Sequence, residues 1–172
     1  MQVLLRKTLV CLTVMSMIFM VSCSSDSKKE SESDSASDTL VSDPTGDSNI
    51  ELNGSSDDST AGPIKTIYFD FNSSALTSAA KATLSENAEY LKMNEAVTIE
   101  VEGHADERGG VQYNLALGEK RANRVKDYLV GLGVASDRIT TVSYGKDRPV
   151  AYGHDEEAWS KNRRANFVIT AK

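Results

Sequence analysis

Two oppositely charged side chains near the middle of the sequence have the types that bind a zwitterionic ligand. Asp106 lies in the segment Gly103–Gly110, GHADERGG, which predicts a loop, and Arg121 follows fifteen residues later in a predicted helix. A carboxylate accepts hydrogen bonds from an ammonium, and a guanidinium makes a bidentate contact with a carboxylate. Asn114, two turns before Arg121, belongs to the same helical face. Spacing alone leaves a second interpretation open, in which Asp106 and Arg121 form a structural ion pair.

The N-terminal segment indicates a different chemistry, lipid attachment at Cys23. Two basic residues precede the apolar run 9–21, which is typical of a secretory signal and shorter than the roughly 20 residues of a transmembrane helix. Ser22 lies directly before Cys23, which is the arrangement that a lipoprotein signal peptidase cleaves. We therefore predict a signal peptide over residues 1–22 and acylation of Cys23. An ordinary signal peptide cleaved elsewhere is the alternative.

The next segment has the composition of a flexible tether. Residues 24–62 hold 12 serines and 10 acidic residues against two lysines. Because so few apolar side chains cannot offset the entropy of ordering, residues 23–62 are predicted to be a disordered linker. The remainder, 63–172, balances 15 basic residues against 15 acidic ones. A neutral domain gives no electrostatic support for nucleic-acid binding.

Residues 63–172 are predicted to form one α+β domain. Runs of β-branched and aromatic residues predict strands at 65–71, 97–101, 139–144 and 165–170. Apolar residues at helical spacing predict one helix from Thr77 to about Met93, and a longer one after the GHADERGG loop that ends near Gly131. A short helix is a candidate at 156–161. The order β-α-β-α-β-β predicts a two-layer sandwich, in which a mixed sheet carries two long helices on one face.

Catalytic chemistry has little support in the sequence. His104, Asp106, Glu107 and His154 carry atoms that ligate metals, but no helical HExxH pattern is present. A nucleophile elbow and a phosphate-binding loop are also missing from the sequence. We predict no enzyme activity, no metal and no cofactor.

Two further groups near the C-terminus are predicted to have structural or contact roles. Arg163 and Arg164, ahead of the last strand, are expected to be solvated or to support the adjacent loop rather than to bind phosphate. Trp159 and Tyr152, beside the short helix, are expected to be core or partner contacts.

Four segments together resemble a known family. The long helix keeps the spacing of one motif at Asn114, Leu117, Arg121, Ala122, Val125 and Leu129. The other segments are Tyr68–Leu76, Ile139–Val150 and Gly153–Phe167. The sequence is similar to the OmpA-like peptidoglycan-binding domains, and in particular to the peptidoglycan-associated lipoproteins of the Tol-Pal system. Gly110 and Val111 stand where that family often has Thr-Pro, which predicts a looser start of the long helix.

The resemblance implies a function and a set of site residues. It implies noncovalent binding of the peptidoglycan stem peptide at meso-diaminopimelate, with Asp106 on the ammonium and Arg121 on the carboxylate. Asn114 is expected to point into the same groove, and Phe69 and Asp70 to close its other side.

The resemblance also implies a location and partners. The protein is expected to be lipid-anchored on the periplasmic face of the outer membrane, where it supports envelope integrity and constriction at cell division. A TolB-like periplasmic protein is the expected second partner. The first alternative is a wall-binding lipoprotein outside the Tol-Pal system. A second alternative, a motor stator, needs a membrane-spanning helix with a functional carboxylate.

Overall fold

The computed structural model describes residues 51–172, which form an α+β domain of two layers. The predicted signal peptide, Cys23 and most of the predicted linker lie outside the described residues. The four strands are β1 (Ile67–Tyr68), β2 (Thr98–His104), β3 (Ile139–Gly145) and β4 (Arg164–Ala171). The helices are α1 (Ser78–Met93), α2 (Val111–Gly131) and the short α3 (Glu156–Asn162), and a 3-10 turn covers Ser136–Arg138.

The sheet is mixed, as predicted. Its strand order is β1-β4-β2-β3, with β2 parallel to β3 and antiparallel to β4, and β1 antiparallel to β4. The helix α2 connects the two parallel strands, which is the usual use of a helix in a βαβ unit. Because only residues 105–110 separate β2 from α2, the start of α2 lies near the end of β2.

The core lies between the sheet and the two long helices. Alternate residues of the central strands and one stripe of each helix are buried in it, including Ile99, Val101, Phe167 and Ile169 of the sheet and Leu84, Leu91, Val125 and Leu129 of the helices. The predicted cap of α1 is confirmed, because the Thr77 hydroxyl accepts from the Ala80 amide at 3.1 Å. The predicted apolar stripe of α2 is also buried at Gly118, Ala122, Val125 and Leu129, but two polar residues, Asn114 and Arg121, are buried with it.

The helix α2 begins at Val111, directly after Gly110, as the sequence segment GHADERGG predicts. Gly110 is the N-cap residue, and no side chain makes a capping hydrogen bond there. The adjacent strand β2 extends to His104, so the first two residues of the predicted GHADERGG loop belong to the sheet.

The packed part of the chain begins before Pro63, where the sequence analysis placed the start of the domain. The Asn53 amide donates to the Ile169 carbonyl at 2.8 Å, and the Ser56 amide donates to the Phe167 carbonyl at 2.9 Å. Residues 53–56 therefore cover the part of the β4 edge that the two-residue β1 does not reach. Composition did not predict this because the contacts are hydrogen bonds of backbone groups and serine hydroxyls, which a polar segment makes without burying apolar side chains.

Two glycines allow α2 to lie directly on β2. A Cβ atom on Gly103 would overlap the carbonyl oxygen of Gly118, and a Cβ atom on Gly118 would lie 2.6 Å from the carbonyl oxygen of Gly103 and would also overlap the Ser143 hydroxyl. Helix and strand thus touch backbone to backbone. Asp106 and Arg121 each follow one of these glycines by three residues.

The contact predicts opposite effects for two glycine substitutions in the same helix. Gly118→Ala should destabilise the domain by about 1–3 kcal/mol, because the added methyl group overpacks a rigid contact. Gly131→Ala is the matched control, since a Cβ atom there has no neighbour within 4 Å. Alanine should be neutral or stabilising at that position by up to about 1 kcal/mol. Urea unfolding of both variants measures the difference, and a Gly118→Ala protein as stable as wild type would contradict the packing argument.

Candidate functional site

A pocket of about 210 Å³ lies where β2 ends and α2 begins. Its lining consists of Phe71, Asn72, Asp106, Arg108, Gly109, Tyr113, Asn114, Leu117, Arg121 and Arg163. Three predicted site residues, Asp106, Asn114 and Arg121, are therefore brought together. Asp106 follows the end of β2, and the two others lie two turns apart on the buried face of α2.

Arg121 is completely buried and joins three chain segments. Its Nη1 donates to the His104 carbonyl at 2.6 Å, its Nε to the Ser73 carbonyl at 2.9 Å and its Nη2 to the Asp70 carbonyl at 3.2 Å. Burial lowers the pKa of Arg121 to about 10, against the opposing effect of the Asp106 charge, so the group is still a cation at neutral pH. A guanidinium has five N–H donors. The three carbonyl contacts use three of these N–H groups, one on each nitrogen.

Asp106 is 4% exposed and has its own cationic partners. One carboxylate oxygen accepts from the Arg108 amide at 3.1 Å, and the other accepts from Arg108 Nη2 at 2.6 Å and from Arg163 Nη1 at 3.4 Å. Burial alone would raise the pKa of Asp106, but the Arg108 hydrogen bonds outweigh it and hold that pKa below its ordinary value. The carboxyl group is therefore an anion at neutral pH.

The structural ion pair that spacing left open is not what the structure shows. In the part of the chain described, Asp106 pairs with Arg108 and Arg163, and Arg121 donates to backbone carbonyls. The two charges nevertheless line the same pocket. Asn114 supports this arrangement, because its Nδ2 donates to the Arg108 carbonyl at 2.9 Å and so ties the loop to α2.

The remaining two predicted site residues do not line this pocket. Phe69 is buried with its ring centroid 5.0 Å from the Arg121 guanidinium carbon, and the exposed Asp70 contributes only its carbonyl oxygen to Arg121. The wall is formed instead by the next two residues, Phe71 and Asn72. Asn72 accepts a hydrogen bond from the Tyr113 hydroxyl across the pocket. The chain turns after Asp70, and the turn places Phe71 and Asn72 against the pocket.

Several pocket residues were not predicted from the sequence. Arg108 lies two residues after Asp106 in the same motif, so its proximity was a usable signal. No local sequence signal placed Arg163 in the pocket, because its contact with Asp106 joins residues 57 positions apart. Arg163 and its neighbour Arg164 are 6% and 3% exposed, so they are buried rather than solvated. Both support adjacent segments, Arg163 through Glu156 and Arg164 through Asp57.

The four residues that offered metal-ligating atoms are divided among different places. His104 lies on the sheet face opposite the helices, where its Nε2 is 3.4 Å from Glu102 and its ring stacks on Tyr144. Glu107 and His154 pair with each other at 2.7 Å, and His154 is exposed. Among residues 51–172, no group of three or more such side chains converges on one point.

The comparisons with known proteins give the family. The OmpA family matches residues 68–163, and the chain belongs to that family. Within it, the chain belongs with the peptidoglycan-associated lipoproteins. It is 48% identical over 117 residues to the peptidoglycan-associated lipoprotein of Mesorhizobium japonicum, covering 68% of this chain and 70% of that protein.

Solved structures agree with this placement. The crystal structure of the peptidoglycan-associated lipoprotein from Burkholderia pseudomallei is 46% identical, with a TM-score of 0.59 over 60% of this chain and 88% of that one. The C-terminal domain of Helicobacter pylori MotB has the same TM-score of 0.59 at 24% identity, covering 63% of this chain and 86% of that one, and shares the fold alone. Within residues 51–172, no helix is both long and apolar enough to span a bilayer.

The two histidines of the chain should have pKa values on opposite sides of the ordinary histidine pKa of 6.5. Burial lowers the pKa of His104 below 6.5, despite the nearby Glu102. The hydrogen bond that His154 donates to Glu107 raises the pKa of His154 above 6.5. A pH titration followed by NMR of the imidazole carbons should resolve one curve on each side, with His154→Ala removing the higher one. Two coincident curves would contradict the buried position of His104.

The same shifts fix the sign of their effect on stability. Neutral His104 contributes stability that is present above pH 6.5 and is lost as pH falls through its lowered pKa. The His154 pair contributes below pH 6.5 and is lost as pH rises through its raised pKa. Because His154 is fully exposed, His104 should dominate, and His104→Gln should flatten the fall in stability just below pH 6.5.

Proposed function

We propose that this protein is an outer-membrane lipoprotein that binds peptidoglycan noncovalently through diaminopimelate and tethers the outer membrane to the cell wall. One observation carries the proposal: a buried anion, Asp106, and a buried cation, Arg121, line one small pocket in a chain of this family. The names of the relatives, peptidoglycan-associated lipoproteins, support the same ligand.

The pocket chemistry fits the end of a meso-diaminopimelate side chain, which carries an ammonium and a carboxylate on one carbon. The ammonium donates to Asp106, and the carboxylate accepts from the Arg121 guanidinium. Phe71 and Leu117 provide an apolar surface for the methylene chain. Because both charges are buried, these hydrogen bonds are stronger than they would be in water.

The protein acts by binding rather than by catalysis. The pocket lining offers charge and shape but contains no serine, cysteine or histidine. The role needs no cofactor or metal, since both ends of the zwitterion are matched by side chains.

The tether consists of the lipid on Cys23 and the acidic linker that follows it. With residues 53–56 held on β4, the predicted linker after Cys23 shortens to the 29 residues 24–52, for which a random chain has an r.m.s. span of roughly 30 Å. Acidic self-repulsion extends it further. In this role the protein belongs to the Tol-Pal system, with a TolB-like periplasmic protein as its second partner, and supports envelope integrity and constriction at cell division.

The binding site is tested by removing the charge of Asp106 without changing its shape. Asp106→Asn should weaken binding to purified sacculi at least tenfold, because a hydrogen bond to a charged group contributes about 1.5–3 kcal/mol and one decade of affinity is about 1.4 kcal/mol. Asp127→Asn is the matched control, since Asp127 is exposed on α2 and does not line the pocket. A stem peptide with meso-diaminopimelate should compete with sacculi, whereas the same peptide with lysine at that position should not, because its side chain ends in an ammonium without a carboxylate on the same carbon. A folded Asp106→Asn protein that binds as tightly as wild type would refute the site.

The anchor is tested separately. Cys23→Ser should abolish incorporation of labelled palmitate and release the protein into the periplasmic fraction, while the purified protein still binds sacculi because the pocket is intact. Continued palmitate labelling of this variant would show that Cys23 is not the acylated residue.

A further inference from the structure

Trp159 is the single tryptophan of the chain and lies on α3, next to the pocket but outside its lining. Its ring centroid is 4.0 Å from the guanidinium carbon of Arg108. The Phe71 ring lies at the same distance, 4.0 Å, from that carbon. Arg108 is thus held between two aromatic rings, an arrangement that we call the aromatic clamp. Cation–π contacts of this kind favour a fixed guanidinium.

The clamped guanidinium is the one that contacts the pocket carboxylate. Arg108 Nη2 lies 2.6 Å from Asp106, and Glu156 on α3 lies 3.7 Å from the same nitrogen. The Arg108 side chain is 30% exposed, so burial alone does not immobilise it. Without the clamp, this long side chain would gain rotamer freedom and hold Asp106 less firmly.

The position of Trp159 is fixed by its polar edge. The indole Nε1 donates to Glu107 Oε1 at 2.8 Å, and His154 Nδ1 lies 2.7 Å from the same oxygen. The consecutive residues Glu107 and Arg108 therefore engage the edge and the face of one indole ring. Tryptophan supplies both an aromatic face for Arg108 and an N–H donor for Glu107.

From these contacts we infer that Trp159 is a positioning residue of the peptidoglycan site, which holds Arg108 against Asp106 and so keeps the carboxylate oriented toward the ligand. This inference rests on the proposed function and adds a residue to it. It also gives α3 a role, since Trp159 and Glu156 on that helix both contact Arg108.

The first test measures binding. Trp159→Leu should weaken the affinity for a diaminopimelate-containing stem peptide by about 3- to 30-fold, the range expected for a lost cation–π contact. Trp159→Phe, which keeps an aromatic face, should stay within about 3-fold of wild type. Tyr152→Leu is the matched control, because Tyr152 is 88% exposed and precedes the same helix without contacting Arg108.

The second test needs no ligand. The carboxyl carbon of Asp106 is followed by NMR as pH is lowered, in wild type and in Trp159→Leu. The charged groups around Asp106 come from three elements. Arg108 and Glu107 belong to its own loop, and Arg121 belongs to α2. Glu156 lies in α3, and Arg163 follows the C-terminal end of that helix. Loosening Arg108 removes a hydrogen bond while the burial persists, so the pKa of Asp106 should rise in Trp159→Leu and return toward wild type in Trp159→Phe.

The outcomes separate the inference from the proposed function. Wild-type protein that binds no stem peptide would refute the proposed function, and the Asp106 titration would still decide the role of Trp159. An unchanged titration in folded Trp159→Leu would overturn the inference, whether binding is retained or lost, because Trp159 would then act on stability or on the ligand directly. If Trp159→Leu does not fold, Trp159→Met, with an unbranched apolar side chain, carries the same expectations.

Discussion

The backbone contact between Gly103 and Gly118 is the constraint on which the pocket depends. A side chain on either residue would keep α2 away from β2, because it would occupy the space of the opposite backbone. The contact sets the separation of β2 and α2, and Arg121 on the buried face of α2 thereby reaches the same pocket as Asp106, which follows the end of β2. Protein interiors are close-packed and do not yield readily to added volume. The distance between the charges is therefore set by the fold rather than by side-chain flexibility.

Burying charges in so small a volume is unfavourable unless each retains hydrogen-bond partners. Arg121 meets this condition through three carbonyl groups, and Asp106 through two arginines. Arg121 consequently serves the fold and the pocket together, so that its replacement would affect stability as well as binding. The lining holds three guanidinium groups and one carboxylate, which leaves an excess of positive charge. A ligand carboxylate would reduce that excess.

The opposite face of the sheet has its own polar contacts, which fix the start of the domain. Arg164 Nε pairs with Asp57 at 2.7 Å, and the Asn166 side chain accepts hydrogen bonds from the Ser55 and Ser56 hydroxyls. The neighbouring residues Arg163 and Arg164 therefore have different roles. Arg163 contacts Asp106 in the pocket, and Arg164 holds Asp57 on the opposite face of the sheet. Residues 53–56 therefore lie at the β4 edge and do not line the pocket.

The sequence by itself determined the order of helices and strands and two charged residues of the site, Asp106 and Arg121. Periodicity predicted the sheet, both long helices and the cap at Thr77, because these depend on neighbouring residues that share one local geometry. The GHADERGG motif, together with the family resemblance, predicted that Asp106, Asn114 and Arg121 would share one groove, and all three line the pocket. The signal peptide and the acylation of Cys23 are still predictions.

Only the tertiary structure decided the partners of those charges. Asp106 pairs with Arg163 across 57 residues, and Arg164 pairs with Asp57 across 107. The pocket wall is built from Phe71 and Asn72 rather than from Phe69 and Asp70, because the chain turns after the first strand. Residues 53–56 join the sheet through backbone groups, which every residue type carries, and through the hydroxyls of Ser55 and Ser56. Local sequence patterns determine which face of an element is apolar, but contacts between distant segments depend on how the whole chain packs.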